Sequence, residues 1–120
     1  MFAHDLHVSL AVATYAIVAV AAIEAAVRVV TGRPPGRFSA AMTAITLVVV
    51  GMTAAGGLAI LTRGERPREF LHFIYAVLVF ALIPLGDSLT ARASARGRAM
   101  TRLLAALLAL IVIVRLFATG

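Results

Sequence analysis

The segment Arg66–Gly86, RPREFLHFIYAVLVFALIPLG, joins a charged, proline-containing collar to a long apolar run. His72 lies about one turn inside the helix that this run predicts. An ionisable side chain within a membrane span is costly and usually serves a function. The segment therefore predicts a transmembrane helix, and a partner for His72 at the same depth.

The composition of the whole chain agrees with a membrane protein. Of 120 residues, 62% are hydrophobic and 13% are charged, and the mean hydropathy is +1.05. A soluble domain is nearer half apolar and a quarter charged. Because one span takes about 20 residues, the length predicts an all-α integral membrane protein: an up-down four-transmembrane-helix bundle in one domain, residues 1–120. The absence of cysteine excludes disulfides, zinc–thiolate sites, iron–sulfur clusters and cysteine nucleophiles.

Loops rich in glycine, proline or arginine divide the chain into four predicted spans, at about 3–30, 38–62, 67–89 and 98–118. Ser39 is a predicted N-cap, and Pro67 is placed in the first turn of the third span. The uncharged core of the fourth span is short, so Arg102 and Arg115 are expected to extend toward opposite interfaces.

Two predicted ion pairs lie near one end of these spans. Glu24 and Arg28 are four residues apart on one helix face, where they can pair. Asp87 closes the third span, and Arg92 in the following loop is a candidate partner for it. These charges are expected to stabilise the fold.

The arginines predict the orientation of the chain. One side holds Arg28, Arg33, Arg37, Arg92, Arg96, Arg98 and Arg102, and the other side holds Arg63, Arg66, Arg68 and Arg115. The positive-inside rule then places both termini outside, in a multi-pass protein of the cell membrane. Because the arginines cluster at the ends of apolar runs, the basic charge indicates the lipid bilayer as partner, and not nucleic acid.

Residues from all four predicted spans reach the outer layer. Spans one and three run in the same direction and lie diagonally in a sequentially wound bundle, so His7 and His72 face each other at one depth. Gly56 and Gly57 of span two, and Arg115 of span four, fall in the same layer.

This layer suits a haem. A six-coordinate haem iron takes an imidazole on each face, and bundle cores often hold such cofactors. We therefore expect haem b, with His7 and His72 as iron ligands and the glycines leaving room for the ring. Arg115 and Arg68 are candidate propionate contacts, and Tyr75 could bond a substituent or a quinone. Three alternatives stay open: His4 as the ligand in place of His7, glycines that only pack helices, and Arg115 as a simple interface anchor.

The pattern Gly51…Gly56-Gly57-Leu-Ala-Ile-Leu…Leu71-His72…Ala76, with a histidine opening the helix two spans earlier, resembles one half of the haem A synthase family. The C-terminal Arg115-Leu-Phe-Ala-Thr-Gly120 is faintly similar to an Arg-Leu-Thr-Gly segment of that family. The resemblance implies a half-length, single-bundle relative with one bis-histidine haem. Residues 4–8 read His-Asp-Leu-His-Val where the catalytic half of the family has Glu-x-x-His-Arg. His7 and His72 are the only family positions matched.

Three functions remain open from the sequence. The first is a cytochrome b-like protein for electron transfer or haem handling, working with a redox partner protein or quinone. The second is a half-size haem-modifying or quinone-linked oxidoreductase that rebuilds the two-bundle architecture as a homodimer. The third is a cofactor-free accessory subunit or small transporter.

Overall fold

A computed structural model describes the chain from Phe2 to Gly120, apart from the side chain of Ala3. The helices are α1 (Phe2–Thr31), α2 (Arg37–Thr62), α3 (Leu71–Leu89) and α4 (Ala95–Thr119). Each is long enough and apolar enough to cross a membrane. Since the described residues contain no strand, the predicted all-α transmembrane four-helix bundle is confirmed.

The four helices follow one long axis of 48 Å. Helix α1 packs against α2 and α4, α4 packs against α3, and α2 touches α3 only lightly. This order places α1 and α3 at opposite corners, as a sequentially wound bundle requires. We call the end that carries His7, His72 and the 63–70 loop the histidine end. The opposite end, with the 32–36 and 90–94 loops, is the arginine end.

Small and branched apolar side chains form the core. Val18, Ala106, Ala109 and Ile113 are among its most buried members. Small residues let helix backbones approach closely, which favours packing where lipid supplies no hydrophobic drive between helices. Larger apolar side chains cover the outside, as expected for a surface in lipid.

Helix α3 begins four residues later than the sequence predicts. The collar from Arg66 to Phe70 is not helical, so Pro67 lies in the loop and not in the first helical turn. The backbone N–H of Glu69 instead donates to the Thr119 carbonyl at 3.3 Å. This bond ties the collar to the end of α4 and makes His72 the second residue of its helix.

The predicted N-cap of α2 is also corrected. Gly36 is the cap, and Ser39 lies three residues further on, where its hydroxyl accepts from the Gly36 N–H at 3.1 Å. The same hydroxyl donates to Glu24 at 2.8 Å. From its buried position, Ser39 therefore links the first turn of α2 to Glu24 in the C-terminal part of α1.

Arg102 differs most from its sequence prediction. Its side chain does not extend to the interface: it is 2% exposed and pairs with Asp87. It also donates to the Ser39 carbonyl and the Thr43 hydroxyl. Asp87 thus pairs with Arg102 and not with Arg92. The predicted pair of Glu24 with Arg28 is confirmed.

Candidate functional site

The imidazole of His7 is half-buried and held by the backbone of α2. Its Nδ1 lies 2.9 Å from the Thr53 carbonyl oxygen. A carbonyl oxygen can only accept, so the proton of a neutral ring sits on Nδ1 and the lone pair on Nε2. Metal-binding histidines commonly show this arrangement, in which the second nitrogen donates to a backbone carbonyl.

The glycine pair of α2 makes room for this ring. A Cβ on Gly57 would lie 3.2 Å from His7 Cε1, and one on Gly56 would lie 3.7 Å from Nδ1. The pair was expected to leave room for a haem ring or to pack helices, and the neighbour that it has in this structure is the His7 imidazole. By contrast, no other described side chain or helix comes within 4 Å of a Cβ built on Gly51.

The imidazole of His72 lies against the end of α4. Its Nδ1 is 3.5 Å from the Thr119 hydroxyl, and a Cβ on Gly120 would lie 3.1 Å from its Cε1. The Thr119 hydroxyl donates to the Arg115 carbonyl at 3.0 Å, so its oxygen is available to accept from Nδ1. Both histidines therefore have a nearby acceptor for Nδ1.

The two rings meet although their helices stand at opposite corners of the bundle. Their centroids are 6.4 Å apart and their planes are inclined by 48°. Two imidazoles that bind one ion end-on, each nitrogen about 2.0–2.1 Å from it, have centroids roughly 6 Å apart. The separation of His7 and His72 therefore suits a shared ion.

The number of metal-binding side chains at the histidine end limits the kinds of metal centre that it can hold. Within residues 2–120 the structure forms no group of three or more histidine, cysteine, aspartate or glutamate side chains able to hold a metal ion. A bare zinc ion takes three or four protein ligands. A haem supplies four nitrogens of its own and needs two from the protein. Two imidazoles match the number of axial ligands that a haem takes from the protein, and fall short of the three or four that a bare zinc ion takes.

The other predicted site residues lie further out. Arg115 is exposed on the face of α4 that also presents Ile111 and Leu108, and Arg68 is exposed in the collar. Tyr75 is half-buried and packs against the core. His4 is exposed on α1, whereas His7 reaches α2 and α3.

Two contacts of the histidines were missed by reasoning from the sequence. Thr119 sits at the same depth as His72, and a hydroxyl near the end of the fourth span was a usable signal. Thr53 contributes its backbone carbonyl, and because every residue has one, the residue type cannot predict this contact. The Gly56-Gly57 pair one turn later was the only indirect sign that α2 comes close there.

The fold defines the class of this protein as a small polytopic membrane protein with a histidine pair near one end. Comparisons with family models, curated proteins and solved structures gave no match.

Proposed function

We propose that this chain is a cytochrome b-like membrane protein that binds one b-type haem through His7 and His72. The observation that carries the proposal is the approach of the two imidazoles to a 6.4 Å centroid separation from opposite helices. Ionisable side chains inside membrane spans are rare, and where they meet they commonly mark a functional site.

The chain's own residues have distinct roles in this proposal. The Thr53 carbonyl fixes the His7 ring so that Nε2 carries the lone pair, and the Thr119 hydroxyl is a weaker acceptor for Nδ1 of His72 from α4. Gly56 and Gly57 let α2 pass close to the ring. Helix α2 touches α3 only lightly, so a flat ligand on that side of the bundle would disrupt the least helix packing.

A bound haem supplies a one-electron redox centre. Protein ligands on both faces favour electron transfer over oxygen activation. The protein would then exchange electrons with a partner protein or quinone, or hold haem for transfer. His7 and His72 open the first and third helices, as histidines do in each half of the haem A synthase family. This likeness supports the proposal that the chain is a half-length relative of that family.

The proposed location is the cell membrane, with both termini and the histidine end outside. It rests on the larger number of arginines at the arginine end. Cysteine labelling at engineered positions in the 63–70 and 90–94 loops of intact cells tests this orientation. Labelling of the 90–94 loop alone would contradict it.

The test of haem binding is the spectrum of the purified full chain, expressed with added haem precursor. We expect a Soret band, a sharp low-spin spectrum after dithionite reduction and one haem per chain. His7→Ala and His72→Ala should each abolish that spectrum, because the iron loses an axial ligand. His4→Ala is the matched control and should keep it, since His4 is exposed and three residues away on the same helix.

Two results would overturn the proposal. One is a colourless protein after reconstitution with haem, which would favour an accessory subunit without cofactor. The other is an unchanged bis-histidine spectrum in His72→Ala. Mass analysis of the extracted porphyrin after aerobic turnover separates the carrier from an enzyme: we expect an unmodified porphyrin, and an added oxygen atom would indicate haem-modifying activity.

A further inference from the structure

A second polar site lies at the arginine end, far from the histidines. An open cavity of about 240 Å³ follows the last turns of α1 and is lined by Glu24, Val27, Arg28, Thr31 and Arg33. We call this cavity the arginine groove. Its walls combine charged and apolar side chains.

One guanidinium group of the groove is held in place, and a second lies beside it. Arg28 pairs with Glu24 and also donates to the Pro34 carbonyl at 2.5 Å, so its position is fixed by two partners. Gly32 has a φ of +67°, a conformation that favours glycine. A Cβ there would lie 3.6 Å from Nη2 of Arg96, so the turn brings a guanidinium from α4 beside the groove.

The positive charge at this end exceeds the negative charge available to balance it. Within the described part of the chain, the two carboxylates of the arginine end are Glu24 and Asp87, and each already pairs with an arginine. Arg33 and Arg96 have no carboxylate partner among the described residues. The groove therefore attracts an anion from outside the chain.

An apolar strip runs from the groove toward the membrane centre. Ile23, Val27 and Val30 lie on one face of α1 and are 66%, 56% and 81% exposed. In a bilayer this strip contacts acyl chains directly beneath the arginines. A ligand that has both a phosphate and acyl chains satisfies both parts of the surface.

We infer that the arginine groove binds the headgroup of an anionic phospholipid. Its phosphate lies between Arg33 and Arg96, and Arg28 lines the back of the groove. The acyl chains run along Ile23 and Val27. Basic pockets at helix ends on the cytoplasmic side are sites of this kind. This inference is independent of haem binding.

The test uses native mass spectrometry to measure how tightly the delipidated full-length protein, in detergent, binds added lipid. The probes are phosphatidylglycerol, phosphatidylcholine and inorganic phosphate. We expect phosphatidylglycerol to bind more tightly than phosphatidylcholine. The double variant Arg33→Gln/Arg96→Gln should weaken phosphatidylglycerol binding by roughly 10- to 30-fold, because each arginine near an anionic lipid contributes about 1 kcal/mol.

The matched control is Arg63→Gln/Arg66→Gln, which removes the same charge at the histidine end. It should leave phosphatidylglycerol binding unchanged. An equal loss in both double variants would mean that net charge alone attracts the lipid, and would overturn the inference. Displacement of phosphatidylglycerol by millimolar inorganic phosphate would also overturn it, since the site would then be one for a free anion. Circular dichroism confirms that both variants keep their helices.

Discussion

The histidine end and the arginine end bury polar groups in different ways. At the arginine end, Arg102 is 2% exposed and donates to a carboxylate, a backbone carbonyl and a hydroxyl. At the histidine end, Nδ1 of each ring contacts an oxygen on a neighbouring helix, and the ring centroids lie 6.4 Å apart. The arginine end pairs its carboxylates with arginines inside the chain, whereas each histidine makes its contact through Nδ1 and has Nε2 as its second nitrogen.

The difference separates a stabilising cluster from a site. A buried charge without a partner costs several kcal/mol, so the ion pairs must form whenever the bundle forms. A neutral imidazole costs less to bury and can hold a lone pair ready for a ligand. In the ion cluster, Glu24 Oε2 and Arg102 Nε remain buried without a partner in the described chain. Such atoms commonly bind an ordered water.

The largest expected effect is on stability at the arginine end. Arg102→Ala removes the hub of three hydrogen bonds and leaves Asp87 unpaired. We expect the free energy of unfolding to fall by about 3 kcal/mol, the low end for a broken buried pair, because Asp87 is partly exposed and can be rehydrated. Unfolding in a denaturing detergent, followed by circular dichroism, measures the loss.

Arg92→Ala is the control for this change, because Arg92 is exposed and pairs with neither carboxylate. It should alter stability by less than about 0.5 kcal/mol. The double variant Asp87→Asn/Arg102→Met should recover part of the loss by removing both charges. If Arg102→Ala unfolds no more easily than Arg92→Ala, the two ends do not differ in the way described.

The second prediction concerns the histidine end, where the effect should fall on binding more than on stability. Gly57→Val adds a branched side chain where even a Cβ would lie 3.2 Å from His7 Cε1. We expect the ring to move away from the Thr53 carbonyl, so that its Nε2 is no longer directed at the proposed haem iron. We expect haem affinity to fall by about 10- to 100-fold, as when the supporting partner of a metal ligand is lost.

Gly51→Val is a matched control on the same helix. It adds the same side chain where no other described side chain or helix lies within 4 Å, so haem affinity should be retained. Haem titration followed at the Soret band compares the two variants. Equal losses would mean that valine harms α2 in general, and the special role of the glycine pair would be lost.

The sequence was most informative about features that depend on the length of a span and on the position of a residue along it. The four spans, the diagonal arrangement and the shared depth of His7 and His72 all come from length, direction and position along the chain. The fate of Arg102 does not, because its partner lies 15 residues earlier on another helix. From sequence alone, an arginine near a helix end reads as an interface anchor.

Contacts made by backbone atoms and by helix ends were also beyond the sequence. The Thr53 carbonyl that holds His7 carries no residue signature. The late start of α3 is accompanied by a hydrogen bond from Glu69 to the end of α4. Local propensity could not supply that bond, since it favoured helix from Pro67 onward.

The smallest expected effect tests whether the two histidines are held equally. Thr119→Val removes the hydroxyl that lies 3.5 Å from His72 Nδ1. If His72 holds the proposed haem, loss of this acceptor would make the imidazole a weaker electron donor to the iron, which would disfavour the oxidised state. The haem reduction potential should rise by a fraction of the roughly 59 mV that corresponds to a tenfold change. The shift is small because a contact of this length is weak.

Thr53→Val is the control on the His7 side of the proposed haem site, because Thr53 holds His7 through its carbonyl and its hydroxyl donates to the Val49 carbonyl. It keeps the backbone acceptor and should leave the potential unchanged. Redox titration of the three proteins gives the comparison. An equal shift in both threonine variants would show that each hydroxyl acts only through general polarity. The Thr119 hydroxyl would then not align His72 as the Thr53 carbonyl aligns His7.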